Sequence, residues 1–173
     1  SFHGTHVAGT IGAATNNAIG VAGIAGGARL MPLRTLGCGG GSNYDIGQAV
    51  LYAAGLANDS GLLPTDAADI VNLSLGGEGS SQFSQDIYTA ARNAGVIIVA
   101  AAGNDATNQP SFPANYNGVI SVSAIGVTGV QSSFSNFGLG IDVAAPGGDS
   151  TARSEEYTPE LQSRRTLVFR PRL

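Results

Sequence analysis

Short, nearly continuous apolar runs recur along this chain and are separated by segments with a helical spacing. Four of the runs predict strands, at residues 69–75, 96–102, 119–125 and 141–145. The first two lack polar alternation, which is typical of strands covered on both faces of a sheet. A further apolar run at residues 28–36 predicts another strand, and Pro32 within it indicates an edge position or an irregular middle.

Three segments between these runs place small or apolar residues on one helical face. They predict helices at residues 3–14, 43–58 and 83–94. Gly95 follows the last of them and is expected to cap its C-terminus. Strands that alternate with helices predict an α/β fold with a mostly parallel central sheet flanked by helices. In such a sheet the functional groups gather at the carboxyl ends of the strands, so residues 75–77 and 103–104 are expected at one rim.

Composition narrows the possible partners. Hydrophobic residues make up 43% of the 173 positions and charged residues only 12%, which predicts a compact core. The net charge of −4 argues against nucleic acid as a partner, because phosphate binding requires a basic patch. The sequence has no apolar run long enough to cross a membrane.

The composition changes near residue 148. From there to residue 173 the chain is rich in Arg, Ser and Glu and shows no helical or strand period before Leu167. We therefore expect one domain over residues 1–147, followed over residues 148–173 by a divergent tail that is disordered or frame-shifted and does not continue the sheet.

The string HGTHVAGT at residues 3–10 carries the first candidate for chemistry, His3. An imidazole at the start of a helix lined with small residues suits a positioned general base. Without the flanking residues, His3 and His6 would more readily be polar residues that cap or line a helix start. A zinc site at this pair is disfavoured, because no Glu or third ligand lies nearby in the sequence.

The second candidate is Asn104, which ends the string AAAGN just beyond a predicted buried strand. An amide in this place can donate a hydrogen bond to an anion that forms above the rim of the sheet. An Asn that merely terminates a strand in an ordinary turn is the alternative.

Several blocks occur in one order along the chain: HGTHVAGT, NNAIGVAGIA, NLSLGG, AAAGN, SFSNFG and DVAAPG. Together they resemble the secreted bacterial subtilisin-like serine proteases, from His3 to about Gly147. The resemblance implies the three-layer α/β fold of that family, in an incomplete form. It also implies a polypeptide substrate, an extracellular location and a monomeric intact protein.

The resemblance assigns roles to individual residues. His3 would be the general base of the Ser/His/Asp triad, and Asn104 the oxyanion donor. Ser74 is not expected to be the nucleophile, because no sharp turn exposes its hydroxyl. An extended peptide would instead pair on one side with Ser74, Leu75 and Gly76. On its other side it would pair with Gly40, Gly41 and Ser42. One wall of the pocket for the residue before the cleaved bond would be formed by Ala101, Ala102 and Gly103.

The loop that follows the first predicted helix resembles the calcium loop of the family. On this reading calcium is held by the Asn17 side chain and by the carbonyls of Thr15, Ile19 and Val21. A plain Asn-rich turn is the alternative.

Two blocks of the family pattern do not occur in the sequence. The aspartate block would precede His3, and the serine block Gly-Thr-Ser-Met-Ala would follow residue 147. We therefore expect a fragment of a serine-type endopeptidase that is inactive alone and leaves part of its sheet uncovered. A non-catalytic peptide-binding pseudo-protease is the alternative function, and a purely structural α/β domain is disfavoured by the His3 and Asn104 blocks.

Overall fold

The computed structural model describes residues 2–149 and the backbone of residues 167–170. In chain order the elements are α1 (His3–Gly12), β1 (Arg29–Met31), α2 (Asn43–Ala53), β2 (Ile70–Leu73), α3 (Gln82–Asn93), β3 (Ile97–Ala101), β4 (Val119–Ile125), β5 (Val143–Pro146) and β6 (Leu167–Arg170). None of the helices in this part of the chain is long and apolar enough to cross a membrane.

The strands form one sheet in the order β1-β6-β2-β3-β4-β5. Strands β2 to β5 pair in parallel, which confirms the predicted α/β class. Strand β6 lies between β1 and β2 and is antiparallel to both. The expectation that the tail does not continue the sheet is therefore wrong for residues 167–170, because Leu167 opens a short apolar run that can pair with both neighbouring strands. Residues 150–166 and 171–173 of the predicted tail lie outside the described residues, and a domain boundary after residue 147 stays a prediction.

Helices α2 and α3 cover one face of the sheet. Ser42 caps α2, since its hydroxyl accepts a hydrogen bond from the Asp45 amide at 3.0 Å, and Ser81 caps α3 in the same way. Both helices contribute apolar residues to a core that they share with β2, β3 and β4, among them Val50, Ala53, Ile87, Ala91, Val71, Leu73 and Ile98. Gly95, with φ +96°, follows α3 as predicted.

Within the described residues, the opposite face of the sheet is only partly covered. Helix α1 contacts β1 and β6, at one edge. Farther along the sheet, Ile97 and Val143 are about half exposed, at 51% and 50%. The prediction of burial on both faces is thus wrong for β3, because the α2 and α3 layer packs against one face only. Exposed apolar surface on the sheet agrees with the expectation of incomplete cover.

Several predicted elements are shorter in the structure, and two of them end early for clear local reasons. The run at residues 28–36 forms a strand only as far as Met31, because Pro32 cannot donate to a ladder, and β1 lies at the sheet edge as Pro32 indicated. Helix α2 ends at Ala53 rather than residue 58, since Gly55 adopts a left-handed φ of +69°.

Candidate active site

A cleft of about 710 Å³ lies where β2 and β3 end and the first turns of α1 approach them. It confirms the predicted rim, because Leu75 to Gly77 and Gly103 to Asn104 line the same cavity. The other lining residues are His3, Val7, Thr10, Ile11, Asn72, Ser74, Glu78, Ala101, Asp105, Thr107, Gln109, Pro110, Ser111 and Asn136.

His3 is the first residue of α1 and lines this cleft. Only 6% of its surface is exposed, whereas His6, one turn later, is exposed to solvent. The far end of α1 is held in place by the backbone of the next loop. The amides of Gly23, Ile24 and Ala25 donate to carbonyls in or just after the last turn of α1, at 2.8–3.1 Å. Of the two histidines on α1, His3 is the one that is buried and lines the cleft.

Asn104 lies on the loop that leaves β3 and faces the same cleft. Gly103 precedes it with φ +118°, and a Cβ at that position would clash with the side-chain amide of Asn136. Asn104 itself is exposed, so its amide can donate to a molecule in the cleft. The structure thus brings His3 and Asn104, separated by about a hundred residues in sequence, to one cavity.

The end of β2 also lines the cleft. The Asn72 side chain donates to the Ser74 hydroxyl at 2.9 Å. Gly77 exchanges two backbone hydrogen bonds with Phe112, both at 2.9 Å. These contacts hold residues 74–77 along the cleft.

The remaining predicted peptide-binding residues do not line this cleft, and their contact with a peptide stays a prediction. Gly40, Gly41 and Ser42 are not among the residues that line the cleft in the described structure. Gly41 packs against the carbonyl of Thr35, and Ser42 caps α2. Ala102 is buried, at 2% exposure, behind the cleft wall.

The predicted calcium ligands lie on the exposed loop after α1. The Asn17 side-chain oxygen accepts from the Ile19 amide at 3.1 Å, and the neighbours Asn16 and Ala18 adopt left-handed φ values of 59° and 57°. The described residues contain no cluster of three or more His, Cys, Asp or Glu side chains that could hold a metal. The loop therefore offers only neutral amide and carbonyl oxygens, a donor type that calcium accepts.

Sequence reasoning assigned no role to Asn72, Glu78, Asp105 or Asn136. Asn72 and Asn136 lie within the blocks NLSLGG and SFSNFG, so the motifs contained the signal, but their orientation toward the cleft depends on the fold. Glu78 and Asp105 are the acidic residues that line the cleft.

Comparison with known proteins places this geometry in a class. A protease from Pseudoalteromonas arctica has a solved structure that superposes with a TM-score of 0.86 at 39% sequence identity, covering 99% of this chain and 53% of that one. The fold is therefore that of the subtilisin-like proteases. Residues 1–171 match the Peptidase_S8 model, the subtilase family, and the chain belongs to that family.

Sequence relatives agree with this assignment. The chain is 50% identical to an extracellular protease of Xanthomonas campestris pv. campestris over 165 residues, which are 92% of this chain and 28% of that protein. It is 39% identical to subtilisin Savinase of Lederbergia lenta over 146 residues, which are 84% of this chain and 50% of that protein. The chain thus spans about a quarter to a half of the length of these relatives.

Proposed function

We propose that this chain supplies the general base and the oxyanion donor of a serine-type endopeptidase. The observation that carries the proposal is the meeting of His3 and Asn104 at one cleft, at the carboxyl ends of two parallel strands. Membership of the subtilase family, in which a relative from a Bacillus species is named a thermophilic serine proteinase, supports the same reaction.

In this reaction the His3 imidazole takes the proton of a serine hydroxyl as that oxygen attacks the peptide carbonyl. The same imidazole then returns the proton to the leaving amine. The Asn104 amide donates a hydrogen bond to the oxyanion of the tetrahedral intermediate. The substrate is a polypeptide that pairs with residues 74–76 on one side and with residues 40–42 on the other, and residues 101–103 form one wall of the pocket for the residue before the cleaved bond.

The nucleophile is not among the residues that we assign to this cleft. Ser74 already accepts a hydrogen bond from Asn72, and the serine motif of the family does not occur in the sequence. The 173-residue chain on its own is therefore expected to hydrolyse peptides very slowly or not at all. The same observation favours the second candidate function, a peptide-binding domain without catalysis.

An organophosphonate that labels active serines tests this expectation on the purified chain. We expect the intact mass to stay unchanged in a chain that circular dichroism shows to be folded. Subtilisin Savinase, treated in parallel, should gain one adduct. A single stoichiometric adduct on one serine of this chain would contradict the assignment and reveal a nucleophile. Binding of a peptide without turnover would favour the second candidate.

The names of two relatives support a proposal about where the protein acts. Two of them are named as extracellular proteases, from Xanthomonas campestris and Dichelobacter nodosus. A secreted protein that acts as a monomer on polypeptides is the corresponding proposal for this chain.

The loop after α1 is part of the same proposal as a calcium site. Asn17 and the carbonyls of Thr15, Ile19 and Val21 would contribute neutral oxygens, and the bound ion would tie an exposed loop to the end of the helix that carries His3. Because these donors carry no charge, we expect weak binding.

Calcium at about 10 mM is expected to raise the melting temperature of the chain by about 3 °C, a gain that Asn17→Ala abolishes. Asn16→Gly is the matched control, because glycine keeps the left-handed conformation at a residue outside the proposed ligand set. Differential scanning calorimetry with calcium or with a chelator measures the difference. Equal gains in the Asn17→Ala variant and the original chain would exclude Asn17 as a ligand.

A further inference from the structure

A buried asparagine that also lines the cleft packs against the Asn104 loop. Asn136 lies between β4 and β5, and only 3% of its surface is exposed. Burial of a polar side chain costs free energy unless its donors and acceptors are satisfied, so the partners of such a residue indicate its role.

Both ends of the Asn136 side chain bind the backbone around Asn104. Its oxygen accepts from the Asp105 amide at 2.9 Å and from the Thr107 amide at 3.4 Å. Its nitrogen donates to the Ala102 carbonyl at 2.9 Å. The backbone amide of Asn136 donates to the Gly103 carbonyl at 3.1 Å.

These contacts surround Asn104 on both sides along the chain. The two carbonyls that accept hydrogen bonds from Asn136 belong to Ala102 and Gly103, just before Asn104. The two amides that donate to its side-chain oxygen belong to Asp105 and Thr107, just after Asn104. Two further backbone bonds join the same loops, from Ala106 to Phe134 at 2.9 Å and from Phe137 to Thr107 at 3.0 Å.

We propose that Asn136 is the positioning residue of the oxyanion donor: it holds the Asn104 loop so that the Asn104 amide faces the cleft. The role of Asn104 in this inference rests on the proposed function, whereas the contacts between Asn136 and the loop do not depend on it. An amide is required, because the position needs an acceptor for two N–H groups and a donor for one carbonyl.

The glycine before Asn104 belongs to the same arrangement. The space that a Cβ at Gly103 would occupy is filled by the Asn136 amide nitrogen. Gly103 therefore lets the side chain approach closely enough to bind the loop from within, and its positive φ turns Asn104 toward the cleft.

Nuclear magnetic resonance on the 173-residue chain tests the proposal without any turnover. In Asn136→Ala we expect amide exchange at Asp105 and Thr107 to become about tenfold faster, since each loses a hydrogen bond. The Asn104 side-chain amide should also lose order, as measured by nitrogen relaxation. Asn115→Ala is the matched control: it removes an asparagine bond to the Ser111 carbonyl at 3.0 Å, and it should leave the Asn104 loop unchanged.

Asn136→Asp separates positioning from general stability. Aspartate keeps the acceptor for Asp105 and Thr107 but places an oxygen opposite the Ala102 carbonyl. We expect exchange at the two amides to return toward the original rates, while the melting temperature falls as in Asn136→Ala. If Asn136→Ala does not fold, the amide exchange rates of Asn136→Asp test the proposal instead.

Unchanged exchange and unchanged Asn104 order in a folded Asn136→Ala variant would overturn the proposal. The same loosening in Asn115→Ala would overturn it too, because the effect would then be global. Absence of peptidase activity in a chimera that carries residues 3–147 within an intact relative would count against the proposed function. It would leave the exchange and relaxation results unaffected, so the two failures can be told apart.

Discussion

Replacing His3 with alanine is expected to lower kcat for peptide hydrolysis by about 10⁴-fold or more, with KM little changed. The imidazole is the proton acceptor for the nucleophile, and alanine offers no substitute. The measurement requires an intact triad, so residues 3–147 would replace the matching segment of the Xanthomonas campestris extracellular protease. Steady-state kinetics with a peptide substrate then compare the chimera with its His3→Ala variant.

His6→Ala in the same chimera is the matched control. His6 lies on the same helix but is exposed, and we expect a change of only a few fold. A His3→Ala variant that retains full activity would exclude His3 as the base. The chimera also provides the kinetic test of Asn136, whose replacement should lower kcat more than it raises KM.

Replacing Leu73 with alanine is expected to lower the free energy of unfolding by about 3 kcal/mol. Leu73 ends β2, is fully buried at 0% exposure, and packs in the core between the sheet and the α2–α3 layer. Truncation removes apolar contacts and leaves a cavity that the strand backbone cannot close. Urea denaturation followed by circular dichroism measures the change.

Leu62→Ala is the matched control, because the same chemical change falls on a side chain that is 67% exposed. We expect an effect below about 0.5 kcal/mol there. Equal losses at the two positions would mean that the described core does not form in solution. Because Leu73 also leads into the cleft wall at residues 74–77, its loss should disturb the candidate site as well.

Sequence patterns were sufficient to predict that the central strands and the three helices exist, and roughly where along the chain they lie. The runs before Leu73 and Ala101 are continuous enough to be recognised alone, and Gly95 marks the end of α3. Patterns were poorer at predicting the extent of β1 and α2, where Pro32 and Gly55 end the element earlier than the apolar spacing does. The pairing of β6 was missed, because a strand of four residues has too little period to stand out.

For the candidate site, the motifs indicated which residues could carry out chemistry, but they did not indicate which groups those residues contact. His3 and Asn104 were recognised from their neighbours in sequence, and the structure places both in one cleft. Contact of Gly41 and Ser42 with a peptide stays a prediction; in the structure Gly41 packs against Thr35 and Ser42 caps α2. Glycine and serine serve many local purposes, so their identity alone does not select one.

The sequence by itself determined the α/β class, the family, and the two residues that define the candidate site, because each depends on local spacing or on a motif that is continuous along the chain. Only the tertiary structure decided that one face of β3 is left open and that β6 inserts beside β2. It also decided that Asn136 binds both sides of the Asn104 loop across about thirty residues of sequence. Contacts of that kind depend on how strands are ordered in a sheet, and a linear pattern of polar and apolar residues does not specify that order.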